Sequence, residues 1–503
     1  MKRKIVNSIE IFILLLSLMI IFSTIWTLNT FGMVTMEEIV FTMLVPHKGM
    51  NNSVIYNFIL EVMIPSSVLT LFLYFLLIRE NKIGMELDLK TKKIHLKKMV
   101  YPFKGVFKFL VVFLIFIISL FFGLNRLEIF DYIRDQVSVS TLIEEEYVDP
   151  REVSITFDNG KRNLIYIFLE SMESAYTSYD NGGIQNIDLI PELTKLANEN
   201  ISFSHTEKLG GAQGVPGTTW TVGAMVAHTS GLPLKLSIGK NNYGKYISFL
   251  PGAYTLGDIL KENGYNQKIM FGSNASFGGR DSYFSSHGNY EIYDVNTAIK
   301  EGKMTEEDKV WWGFEDRNLF NWAKEELLEL ASQDEPFNFT LLTVDTHFED
   351  GYLSYGCETK YDDKYSNVIA CGSKMVYEFV EWIKEQDFYP NTTIVLVGDH
   401  LTMDVDFFEK LSPTYTRTIY NVFINSAVTT ENTKNREFTT LDMFPSTLSS
   451  IGANISSDRL GIGTNLFSSE KTLAEKYGID VFRKELAMRS EFYNKTLFLL
   501  EDK

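Results

Sequence analysis

Hydrophobic positions along this chain fall into two kinds of run. Three runs near the N-terminus, Ile9 to Leu28, Val54 to Ile78 and Val106 to Leu124, each approach or exceed the about 20 helical residues that cross a bilayer. The first follows Lys2, Arg3 and Lys4, exceeds the apolar core of a secretory signal and is followed by no small-residue cleavage site, so it reads as a retained anchor. Glu61 and Pro65 interrupt the second near its start, which is tolerated close to an interface or against another helix. Beyond residue 161 the runs shorten, become rich in β-branched and aliphatic residues, and alternate with helical periodicity. That pattern predicts an α/β domain with a mostly parallel central sheet. The resulting division is a transmembrane anchor of three helices over 1–124, a polar linker or neck over 125–161 that includes Glu144, Glu145 and Glu146, a globular domain over 162–470, and an amphipathic helical segment over 471–503.

Charge sets the orientation and excludes one class of partner. The segment between the second and third runs carries Arg79, Lys82, Lys90, Lys92, Lys93, Lys97, Lys98 and Lys104, against only Lys48 between the first and second. By the positive-inside rule the basic segment faces the cytoplasm, and three spans deliver the globular domain to the outer face of a multi-pass cell-membrane protein. The chain holds 64 acidic and 47 basic residues, a net charge of -17, so a nucleic-acid backbone would be repelled. The two cysteines, Cys357 and Cys371, agree with an extracytoplasmic address if they pair, closing a loop of about fourteen residues worth ~3 kcal/mol. Two free thiols or half a metal site are the alternatives, although neither the spacing nor a nearby His suits zinc.

Three strand-like runs end in groups able to bind metal. Asn163 to Leu169 leads into Glu170, Phe337 to Val344 into Asp345 and His347, and Thr392 to Val397 into Gly398, Asp399 and His400. Ligands of open α/β sheets bind outside the carboxyl ends of the strands, so three such endings point to one site. Carboxylate and imidazole donors without a thiolate suit Zn or Mn. Taken singly, His400 is equally an ordinary loop histidine and Glu170 a helix-capping carboxylate. A Gly-rich loop, Gly210 to Gly217, runs into an apolar helical segment, with Thr218 directly after Pro216 and Gly217. A hydroxyl at a helix start sits beside free backbone N–H groups, and a metal would activate it as a nucleophile. The plainer reading of Thr218 is a helix N-cap.

Together these motifs resemble a family. Leu169-Glu-Ser171, Pro216 to Ala227, Gly279-Arg-Asp281, Ser286-His-Gly288, Trp312-Gly-Phe314, Thr343-Val-Asp-Thr-His347 and Gly398-Asp-His400 look like the sulfatase-like branch of the alkaline phosphatase superfamily. Within it the resemblance is to the bacterial phosphoglycerol transferases of membrane-derived oligosaccharides and, more distantly, to lipoteichoic acid synthase. It covers roughly 163–467. It implies one Mn²⁺, ahead of Zn²⁺ or Mg²⁺, held by Glu170, Thr218, Asp399 and His400, with Thr218 forming a covalent glycerophosphoryl intermediate. It also implies that Arg280 and His347 contact the phosphate or the glycerol, a role for which the Arg fork is suited. Taken alone, Arg280 reads as an exposed loop residue. Gly461-Ile-Gly463, after Arg459, resembles a late motif of the family.

Departures from the family pattern narrow the expectation. No C/S-x-P-x-R motif stands at Thr218, which disfavours sulfate-ester hydrolysis. Thr219 follows directly, so the choice within the pair rests on alignment and not on chemistry. Three spans differ from the five of the synthase, which favours transfer of single units over polymerisation. The implied activity moves glycerol phosphate from phosphatidylglycerol to an extracytoplasmic glycan or glycolipid, with His347 or His400 moving the proton. The competing readings are a phosphoethanolamine transferase or a phosphodiesterase of the same fold, and a non-catalytic surface binding module.

Overall fold

The computed structural model describes residues 2–32, 35–44, 52–74, 85–89, 92–96, 105–235, 250–404, 406–408, 411–412 and 414–498. They form two units, one of residues 1–36 and 51–131 and the other of residues 37–50 and 132–503.

Near-continuous hydrophobicity gives the first unit its helices. α1 (Lys2–Phe31) contains the first predicted span. The next helix in sequence, α2 (Met36–Leu44), falls in the second unit from Glu37 onward. α3 (Val54–Leu73) and α4 (Gly105–Arg126) supply the second and third spans. All three long helices are apolar and long enough to cross a membrane. The interruption expected at Glu61 and Pro65 is a π-helical turn over Ile59–Met63, with Pro65 at the start of the next turn, so the helix continues through it. Within this unit Leu14, Leu18 and Val112 pack together, and buried Glu10 pairs with Lys108 at 2.6 Å. The end of the second predicted span beyond Tyr74 lies outside the described residues, as do Lys48, Arg79, Lys82, Lys90, Lys97, Lys98 and Lys104. Lys92 and Lys93 begin a strand, Lys92–Leu96, paired antiparallel with Met85–Leu89.

In the second unit, Asn163–Leu169 is strand β1, and every one of its residues is buried. A strand apolar on both faces belongs in the middle of a sheet covered on both sides. β2 (Asn266–Phe271), β3 (Glu291–Tyr293), β4 (Phe337–Leu342), β5 (Thr392–Gly398) and β6 (Asn421–Ile424) complete a six-stranded sheet of order β3-β2-β4-β1-β5-β6. Every pairing is parallel except β5 with β6. Side-chain alternation along β1 divides the core. Leu164, Tyr166 and Phe168 join a cluster with Met225 and Val226 of α5 (Thr221–Ser230), whereas Ile165, Ile167 and Leu169 meet the opposite layer. That second layer is built from α7 (Asp316–Ala331) and α8 (Lys364–Lys384), with Leu319, Leu327, Ile369 and Phe379 buried in it. The short helix α6 (Arg280–Ser286) follows β2.

Cys357 and Cys371 form a disulfide that ties the loop before α8 to the helix itself, with Cα atoms 5.7 Å apart. The segment read as a linker is largely structured. Leu142 and Ile143 are buried in the core, and Glu146 is held by Arg459 and Lys476, each at 2.6 Å. These ion-pair and core contacts are long-range, and the local polarity of the segment does not reveal them. The C-terminal amphipathic segment forms Leu473–Tyr477 and Ile479–Ala487, which bury Leu473, Phe482 and Leu486 in the same core. Gly461 has a φ of 62°, and a Cβ there would stand 2.5 Å from the Ser230 carbonyl oxygen, so this turn admits only glycine against the end of α5.

Candidate active site

Register places the first two ligands. β1 and β5 pair in parallel up to Leu169 and Gly398, so Glu170 and Asp399 are the next residue on two adjacent strands. Their side chains and that of His400 are all buried, and one donor atom from each lies within 4.8 Å of the others. His400 Nε2 stands 3.5 Å from Glu170 Oε1 and 3.4 Å from Asp399 Oδ2.

The cluster is fixed from behind. Asp399 Oδ1 accepts from the backbone N–H groups of Ser171 (2.8 Å) and His400 (2.7 Å). Ser171 reaches this position with a φ of 53°, uncommon for a non-glycine residue, and its hydroxyl donates to Glu170 Oε1 at 3.0 Å. The Glu170 backbone is held on both sides, with its N–H donating to Thr343 Oγ1 and its carbonyl accepting from Thr346 Oγ1. His400 Nδ1 lies 2.8 Å from the Leu401 carbonyl oxygen, the donor tautomer that leaves Nε2 facing the carboxylates.

This donor set fits a divalent cation. Asp399 Oδ2 is buried with no hydrogen-bond partner among the described residues, although burying a lone carboxylate oxygen is costly. Burial lifts the Asp399 carboxyl to about 7, with the Glu170 charge adding to the rise. Burial acts against a charged His400, but the Asp399 and Glu170 carboxylates outweigh it and raise the imidazole to about 9. Such a cluster retains protons unless a cation replaces them.

The threonine whose hydroxyl contacts the cluster is Thr221, three residues after the Thr218 read from the sequence. Val215-Pro216-Gly217-Thr218 forms a turn in which the Thr218 N–H donates to the Val215 carbonyl at 3.0 Å and Gly217 takes a φ of 84°, with proline and glycine where a type II turn places them. The Thr218 hydroxyl closes the same turn, accepting from the Val215 N–H and donating to the Val215 carbonyl, each at 3.0 Å. Thr219 Oγ1 is buried without a hydrogen-bond partner among the described residues. The helix begins only after Trp220, and its first residue is Thr221. Thr221 Oγ1 lies 3.5 Å from Glu170 Oε2 and 3.3 Å from His400 Nε2. The Pro-Gly pair was the available signal: it defers the helix by one turn and brings the later threonine to the strand ends.

Two further predicted residues flank the cluster. Arg280 is buried, not exposed on a loop. Its Nε donates to the Phe277 carbonyl, its Nη2 to Ser273 Oγ and the Asn274 carbonyl, and its guanidinium lies 4.6 Å from the Phe271 ring centroid. Burial lowers it to about 10, opposed by the charge of Glu170. His347 packs on Trp312 with ring centroids 4.7 Å apart, and its Nδ1 lies 2.8 Å from the Phe348 carbonyl oxygen. Burial lowers its pKa to about 4, so it is neutral at physiological pH. Asp345 turns away from the cluster toward the start of α7, where it accepts from the Asp316 N–H and Ser354 Oγ. Glu38 of α2 stands within the electrostatic field of His400, and burial raises it to about 8. Neither Glu38 nor Thr221 was among the residues expected at the site.

The sulfatase family model matches residues 162–453. Over 263 residues the chain is 35% identical to phosphoglycerol transferase I of Citrobacter koseri, covering 50% of this chain and 33% of that protein. Over 350 residues it is 31% identical to phosphoglycerol transferase I of Salmonella choleraesuis, covering 68% of this chain and 43% of the relative. The chain thus spans less than half the length of these curated relatives. Among solved structures, the lipoteichoic acid synthase LtaP from Listeria monocytogenes superposes with a TM-score of 0.50 at 19% identity, covering 66% of this chain and 82% of that one.

Proposed function

Because the chain belongs to the sulfatase family, we propose that it is a membrane-anchored phosphoglycerol transferase that moves glycerol phosphate from phosphatidylglycerol to an extracytoplasmic glycan or glycolipid. The observation that carries this reading is the approach of the Thr221 hydroxyl, on the first turn of a helix, to Glu170 and His400 of the buried cluster they form with Asp399. A hydroxyl among metal-ligating groups at a helix N-terminus suits attack on a phosphodiester. The likeness to proteins named phosphoglycerol transferase I supports phosphoglycerol as the transferred group.

In this mechanism Glu170, Asp399, His400 and Thr221 would hold one divalent ion, Mn²⁺. Such an ion, when bound, lowers the pKa of a neighbouring hydroxyl and offsets phosphoryl charge. Thr221 Oγ1 attacks the phosphorus, the new O–P bond forming as the bond to the diacylglycerol oxygen breaks. The threonine loses its proton and diacylglycerol leaves with one. An acceptor hydroxyl then attacks the same phosphorus, gives up its proton, and Thr221 departs and regains one. Arg280, fixed by its three hydrogen bonds and the Phe271 ring, supplies positive charge that needs no reorganisation as the reaction proceeds. The first-turn N–H groups of α5 have no intrahelical partners and favour the phosphoryl oxygens. His347, with Nδ1 placed as a donor, has Nε2 left to accept from a glycerol hydroxyl.

The test is turnover of labelled lipids by the purified full chain with Mn²⁺. Diacylglycerol released from phosphatidylglycerol, with glycerol phosphate passed on to an acceptor, is the expected result. Release from phosphatidylethanolamine alone would contradict the donor assignment.

A further inference from the structure

The nine-residue helix α2 lies in sequence between the first two apolar helices, yet from Glu37 onward it is part of the second unit. Phe41 is 3% exposed and belongs to the same hydrophobic cluster as Trp220, Val222 and Met225. Its ring centroid is 5.6 Å from that of Trp220, the residue before Thr221. On the other side of Thr221, Val222 and Phe41 both border Gly278 in the turn that leads to Arg280. A Cβ added to Gly278 would stand 2.7 Å from Val222 Cγ2 and 3.9 Å from Phe41 Cε1. With its φ of 69° as well, Gly278 leaves the room that these two side chains fill. Phe41 therefore packs where the start of α5 and the turn before α6 converge. Glu38, three residues earlier and on the same helical face, is the residue of α2 whose charge interacts with His400.

We propose that α2 is a working wall of the active site, with Phe41 a positioning residue that sets the start of α5, and so Thr221, against the turn that carries Arg280. The inference rests on the roles given above to those two residues. It extends the catalytic machinery to a segment that precedes two of the three apolar helices in sequence. A purely space-filling Phe41 would matter for stability alone. A positioning Phe41 matters for the chemical step, because small displacements of a reacting group reduce rate more than binding.

The experiment compares the full chain with Phe41→Ala and Phe41→Leu, using the generic phosphodiester bis(4-nitrophenyl) phosphate with Mn²⁺ and, in parallel, phosphatidylglycerol. Mn²⁺ affinity is titrated for each protein. Phe41→Ala is expected to lower kcat by about 10- to 100-fold, with KM and Mn²⁺ affinity within about threefold of the parent, and Phe41→Leu to recover most of the loss. Unchanged kcat in Phe41→Ala overturns the proposal, and so does a parallel loss of Mn²⁺ affinity, which marks a general structural role. If Phe41→Ala does not fold, Phe41→Leu decides: a kcat loss of a few-fold at constant KM supports positioning, and full activity overturns it. A parent protein that cleaves the generic diester but not phosphatidylglycerol would refute the donor assignment and leave the Phe41 comparison intact.

Discussion

The strand-end half of the site and its helix-start half are built on different principles. Glu170, Asp399 and His400 follow paired strands, and each is tied by hydrogen bonds of 2.7–3.0 Å to Ser171, to backbone N–H groups or to the Leu401 carbonyl. Thr221 reaches the same place through longer contacts of 3.3 and 3.5 Å, and its position depends on the packing of its neighbours Trp220 and Val222. The groups proposed to hold a cation are locked in advance, since any looseness weakens binding. Thr221, the group proposed to react, is placed by packing and keeps its hydroxyl only weakly engaged.

The sharpest way to break this contrast is to remove each threonine in turn. Thr221→Ala should reduce kcat by at least about 10³-fold while leaving the fold intact, because a nucleophile has no substitute. Thr218→Ala should keep kcat within about threefold but cost about 1–3 kcal/mol in urea unfolding, since the buried Val215 N–H loses its acceptor. The reverse pattern would return the role to the turn.

A smaller effect separates ligands from their supports. Asp399→Asn should weaken Mn²⁺ binding by at least about 100-fold, and Ser171→Ala, which removes one hydrogen bond to Glu170, by about tenfold. Equal losses in isothermal titration would mean that Ser171 is itself a ligand. The pH response probes the same ligands. In the metal-free protein His400 releases its proton near 9 and Asp399 near 7. Metal binding between those values displaces one proton, so Mn²⁺ affinity should rise by about tenfold per pH unit from 7 to 9. A flat profile over that range would show that His400 is already neutral there.

The same contrast accounts for what was legible in the sequence. β1 and β5 announce themselves as short, largely apolar runs, and a parallel sheet converts the residues after them into neighbours, so Glu170, Asp399 and His400 could be named before any coordinates. The cysteine pair was legible as a possibility, and the fold brings it together. At the helix start the alignment favoured Thr218, whereas the hydroxyl that contacts the cluster is one turn later, because Pro216 and Gly217 belong to a turn that engages Thr218. Arg280 looked like a loop residue because its cover, Phe271, and its acceptors at Ser273, Asn274 and Phe277 come from the strand and turn before it. Glu38 and Phe41 lay beyond local reading altogether. Their contacts are with residues roughly 180 to 360 positions away, and only the assembled core brings such residues together.

Mapping the covalent adduct addresses the central claim most directly. The full chain is given phosphatidylglycerol with Mn²⁺ and no acceptor, quenched in acid, digested and analysed by fragmentation mass spectrometry. A glycerophosphoryl group is expected on Thr221, lost in Thr221→Ala and retained in Thr218→Ala; an adduct on Thr218 or Thr219, or turnover with no adduct on this helix start, would contradict the role given to Thr221.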